Sequence, residues 1–177
     1  LVVPLTVAVI ILLLFLNFRN MVDVILILGT LPMALVGGVW LLHLLEYNLS
    51  VAVGVGLIAL AGVAAELGVV MLLYLKLAWD EQQGRARNEK RPVVDTDIRA
   101  AVIEGAVRRV RPILMTVATI FAGLLPIMLG SGTGAEVMQR IAAPMVGGMA
   151  SATVLTLIVL PAVWVLRLRA RVSRSGA

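Results

Sequence analysis

VAVGVGLIALAGVAAELGVVMLLYL, residues 51–75, is an apolar run with a single charged side chain, Glu66. A carboxylate at mid-bilayer depth costs about 2.5–3.5 kcal/mol on insertion scales, so one is kept where it meets a partner, a proton or water. Three, four and seven residues before Glu66 stand Val63, Gly62 and Ala59, with Gly54, Ala61, Ala65 and Gly68 adding further small residues. A stripe of such residues lets another helix backbone come close. The spacing therefore predicts a Glu66 that points into a helix bundle, where an ionisable group is a candidate for function.

The surrounding sequence is that of an all-α membrane protein. Hydrophobic residues make up 61% of the chain, and the mean hydropathy is +1.06, beyond the usual composition of a soluble domain. Five stretches reach or approach the roughly 20 apolar residues that cross a ~30 Å hydrocarbon core: 1–16, 24–45, 51–75, 113–129 and 141–166. Alternating barrel strands would be shorter. The first stretch has no basic segment before it and no small-residue cleavage site after it, so it reads as a span cut short at its start. The chain is expected to be the C-terminal piece of something longer.

Charge sets the orientation. Fourteen of the fifteen Lys and Arg residues fall in the turn after the first stretch, in 76–111, or in the tail 167–177; Arg140 alone lies on the other side. The positive-inside rule makes the first side cytoplasmic, and the C-terminus with it. The net charge of +5 is thereby accounted for by topology, and no nucleic-acid partner is expected. The chain has no cysteine, which excludes disulfides and thiolate metal sites.

Residues 1–79 thus hold three spans, 80–112 a cytoplasmic loop, 113–166 the last two spans, and 167–177 a basic tail. Within the loop, 95–111 has Ile98, Val102, Ala106 and Val110 at helical spacing, the mark of an amphipathic helix on the inner membrane surface or against span ends. Asp95 with Arg99 and Glu104 with Arg108 are i,i+4 pairs of favourable orientation. Trp40, Trp79 and Trp164 fall toward span ends, as interfacial anchors do. No G-x-x-x-x-G-K-[ST] loop occurs, so nucleotide-driven transport has no support, and no enzyme active site or cofactor is legible.

Four blocks carry a resemblance: GLIALAGVAAELGVVMLLYL (56–75), EGAVRRVRPILMT (104–116), AGLLPIM (122–128) and GAEVMQRIAAPMVGGM (134–149). In order and spacing they are similar to the last part of heavy-metal efflux pumps of the resistance-nodulation-cell division (RND) superfamily, and the AGVAAE block resembles the Cus/Sil copper and silver branch. The resemblance implies a secondary transporter of the bacterial inner membrane that exchanges protons for metal cations. It further implies twelve spans, of which these are the last five, a homotrimer, and partners in a periplasmic adaptor and an outer-membrane channel.

By the same resemblance Glu66 matches the family's proton-relay glutamate, and Met138, in the EVM triplet, matches one thioether of a paired-methionine export path for Cu(I) or Ag(I). Soft thioethers suit those ions. One departure stands out: where the family has a lysine after the VRP motif, this chain has Ile113. Met145, Met149 and His43 read as packing or interfacial residues. A drug exporter of the same superfamily and a non-transporting membrane scaffold subunit are the alternatives.

Overall fold

A computed structural model of the chain describes residues 2–92 and 94–175, with side chains described for 4–92 and 94–170. Leu1, Val93 and the last two residues of the tail lie outside the described residues, as do the side chains of Arg171 and Arg174. Six α-helices follow one another: α1 (Val2–Phe18), α2 (Met21–Leu44), α3 (Val51–Asn88), α4 (Asp95–Leu129), α5 (Ala135–Val154) and α6 (Leu160–Ser175). A single π-helical turn, Leu155–Val159, joins α5 to α6.

Among the described residues four runs are long and apolar enough to cross a membrane: Met21–Leu44, Val51–Asn88, Asp95–Leu129 and Ala135–Ala170. The expected first span is apolar but shorter, Pro4–Phe18. At 1.5 Å per residue it extends about 22 Å, less than the ~30 Å hydrocarbon core.

Local chemistry sets the helix ends. Arg19 takes a positive φ of 49° and breaks α1 from α2, after which the Asn20 side chain accepts the Val22 N–H at 3.2 Å. The Ser50 hydroxyl does the same for α3, accepting the Val53 N–H at 3.4 Å. Gly134, at φ 88°, makes the turn into α5 that a side chain would oppose.

Helix α3 does not stop at the apolar boundary but runs on to Asn88. Residues 81–87 are mostly Glu, Gln, Arg and Ala, all good helix formers, and an Arg85–Glu81 pair at 2.8 Å spans one turn. Helix α4 then begins at Asp95. The segment 95–111 likewise continues into 113–129 as one helix through Pro112, so it packs as the first half of α4. Its Ile98, Ala101 and Gly105 are buried, and a Cβ on Gly105 would lie 3.0 Å from the Tyr74 carbonyl of α3. Both i,i+4 pairs form, Arg99–Asp95 at 3.2 Å and Arg108–Glu104 at 2.5 Å.

The core is shared by all these helices. Ile27, Leu60, Met71, Leu75, Ile98, Ile113 and Met149 are fully enclosed. Helix α2 packs most closely on α5, and α3 lies against both α4 and α5. The α2–α5 seam is lined by glycines, and across it the Ser151 hydroxyl donates to the Ala34 carbonyl at 3.1 Å. Trp164 is buried, edge-on to Trp79 with ring centres 6.4 Å apart. It is a core residue, whereas Trp40 is 66% exposed.

Candidate functional site

Helix α3 has two faces. Leu60, Ala64, Leu67, Gly68, Met71, Leu72 and Leu75 are buried in the chain's own bundle. Val55, Ile58, Gly62, Glu66, Leu73 and Leu77 form an exposed strip along the opposite side. Glu66 sits midway along that strip, with no hydrogen bond or ion pair to the described residues. The expectation that it points into the bundle formed by this chain is not met. Its neighbours explain why: Gly54 and Gly62 have open space where a Cβ would be, whereas Gly56 and Gly68 are the small residues that meet other helices.

The other residues singled out from the sequence are dispersed. Ile113 is enclosed in the core of α4. Met138 lies in the first turn of α5, 57% exposed, beside a recess of about 390 Å³ formed with Ile127 and the turn from Gly130 to Ala135. Met145 is half-buried and Met149 fully buried; His43 is exposed in the last turn of α2. Among the described residues no group of three or more His, Cys, Asp or Glu side chains is placed to hold a metal ion.

At the end of the bundle where the charged helix segments gather, the structure makes a cluster that the sequence did not reveal. Asp23, in the first turn of α2, is 1% exposed. Lys76 of α3 reaches it with Nζ 2.5 Å from Oδ2, and Arg167 of α6 pairs with Oδ1. Lys76 also donates to the Phe18 carbonyl at the end of α1, at 3.4 Å, and lies 4.7 Å from the centre of the Phe18 ring. Asn20, Trp79, Asp80, Gln83 and Trp164 complete a recess of about 370 Å³ beside the ion pairs. An acidic residue directly before an apolar run, with basic residues at the same ends of two other helices, was the available signal.

Outward from this cluster runs a lattice of ion pairs. Arg169 donates to both Asp95 oxygens, at 2.7 and 2.9 Å, tying α6 to α4. Arg108 of α4 approaches Glu81 of α3 at 3.4 Å. Arg91 binds both oxygens of Asp97, at 2.7 and 2.9 Å, and the Val94 N–H donates to the same carboxylate at 2.9 Å. The Arg91 guanidinium, and then the Val94 N–H, hold the Asp97 carboxyl down at about 2. Arg169 likewise lowers Asp95.

A carboxylate thus lies exposed on the flank of a membrane-length helix, and charges gather at one end of the bundle. The model of the AcrB/AcrD/AcrF family matches residues 1–167. The chain belongs to that family. Within it, the chain is 51% identical to SilA of Salmonella typhimurium, over 98% of this chain and 17% of that protein. It is 50% identical to the cation efflux system protein CusA of Escherichia coli K12, over 97% of this chain and 16% of that protein. A crystal structure of a heavy metal efflux pump superposes with a TM-score of 0.76 at 36% identity, over 93% of this chain and 15% of the other. The likeness to RND heavy-metal efflux pumps is thus shown over nearly the whole chain. The chain itself spans about a sixth of the length of these AcrB/AcrD/AcrF-family relatives.

Proposed function

We propose that this chain is the C-terminal membrane part of a proton-driven heavy-metal cation efflux transporter of the bacterial inner membrane, exporting Cu(I) or Ag(I), with Glu66 as a proton carrier. The observation that carries this is the place of Glu66, at the centre of the exposed strip of a helix whose other face is core. Hydrocarbon is a costly neighbour for a carboxylate, so the strip calls for a partner helix or a water-lined cavity. Relatives about six times longer supply ample chain for that cover. The narrow shoulder at Gly62 and Gly54, free of side chains, admits it.

Protonation of Glu66 removes a charge from the seam between α3 and its cover, and release restores it. The two states favour different packings, which is how a proton moves a helix bundle. One charge crossing 100 mV supplies about 2.3 kcal/mol to that shift. Met138, exposed at the outer turn, would offer a thioether to a soft cation. In this account residues 1–16 form a fifth span in the assembled protein, 95–111 stays on the cytoplasmic side, and the whole works as a trimer with an adaptor and an outer-membrane channel.

The test is replacement of Glu66 by Gln in the full-length transporter. Loss of silver and copper resistance at an unchanged level in the membrane is expected. Unchanged resistance would contradict the relay role and leave a scaffold.

A further inference from the structure

The Asp23 cluster joins four helices at one point. Asp23 belongs to α2, Lys76 to α3 and Arg167 to α6, and Lys76 also holds the last carbonyl of α1. A carboxylate this deeply enclosed is costly to leave unpaired, so the three side chains must stay together whenever the helices move. Lys76 lies ten residues beyond Glu66 on the same helix, about 15 Å along its axis. No proline interrupts α3 from Val51 to Asn88, so a displacement at Glu66 arrives at Lys76 as a rigid shift. On the other side of the joint, α2 leads to the glycine seam with α5, and α6 is separated from α5 by the π-helical turn Leu155–Val159. Such turns recur at functional positions. The α5–α6 run is thus held at two places, by α5 to α2 and by α6 to Asp23, with the π-helical turn between them.

We propose that Asp23 is a positioning residue for transport, the ionic joint through which movement of the Glu66 helix α3 is transmitted to α2 and α6. This rests on Glu66 carrying the proton. Without Asp23, Lys76 and Arg167 repel each other across the joint, and α3 moves without taking α2 and α6 along.

The experiment reconstitutes the full-length transporter in vesicles with a trapped pH dye and an external silver salt, and follows proton flux and silver flux together. Asp23→Asn is expected to keep proton passage within about twofold while silver moved per proton falls at least tenfold; Asp23→Glu should recover most of the ratio. An unchanged ratio in Asp23→Asn overturns the proposal. So does an equal fall of both fluxes accompanied by reduced protein in the membrane, since that marks a joint needed only for assembly. Glu66→Gln is run beside it and should stop both fluxes. If it does not, the relay reading fails on its own, whatever Asp23→Asn shows.

Discussion

Gly37 of α2 and Gly147 of α5 face each other so closely that a Cβ on Gly147 would stand 2.5 Å from the Gly37 carbonyl oxygen and 2.5 Å from the Leu41 Cβ. The obstacle is partly backbone, which cannot swing aside as a side-chain end can. Gly147→Val should therefore destabilise the protein by about 1–3 kcal/mol, as overpacking does. Gly29→Ala on the same helix pair, where nothing lies within 4 Å of a Cβ, should be neutral or slightly stabilising. Thermal unfolding of the purified protein in detergent reads both. Equal midpoints for the two variants would mean that the seam is looser than described.

The exposed strip of α3 makes a second prediction. If another helix covers Glu66, Gly62 lies in that contact, one turn away. In the full-length transporter Gly62→Leu should lower silver tolerance at least tenfold, whereas Gly84→Ala, also unobstructed but beyond the apolar stretch, should leave it unchanged. Tolerance of both would place the strip against lipid.

Why the sequence misplaced Glu66 follows from the helix itself. Spacing told which residues share a face: 62, 66, 73 and 77 lie together, as do 60, 64, 67, 71 and 75. It did not tell which face the chain's own core takes, because a membrane helix is apolar all round and lacks the polar side that orients a soluble one. The charged ends were easier. Asp95–Arg99 and Glu104–Arg108 form as their spacing predicts, since both partners belong to one helix. Asp23 depends on three helices meeting, which no local pattern encodes. The continuity of α4 was hidden because the charge of 95–111 and the hydropathy of 113–129 differ sharply; the Pro112 between them costs the helix one N–H and is tolerated where packing holds the two halves in line.

At the link between α3 and α4, the Arg91–Asp97 pair should respond to acid. Asp97 has its carboxyl lowered to about 2 in the folded state by Arg91 and the Val94 N–H, against about 3.9 in an unfolded chain. Its contribution is full above about pH 4 and is lost as pH falls toward 2. Amide exchange in residues 89–98 should accelerate over that window, and Asp97→Asn should abolish the pH dependence while raising exchange at neutral pH. The same profile in both proteins would remove Asp97 as the cause.

Gln139 closes the C-terminal end of α4: its side-chain amide donates to the Gly130 carbonyl at 2.8 Å and to the Met128 carbonyl at 3.2 Å. Gln139→Ala leaves both acceptors without this donor and should cost about 1–2 kcal/mol. Faster amide exchange at 131–135, next to Met138, would register the loosening; unchanged exchange would show that water replaces the amide.

The central claim is that Glu66 takes up and releases the proton that drives export. The direct measurement is metal-triggered proton flux through the full-length transporter in vesicles, with Glu66 intact and with Glu66→Gln at equal incorporation. Silver should trigger proton flux only where Glu66 is present. Silver-dependent proton flux of wild-type size in Glu66→Gln would contradict the account.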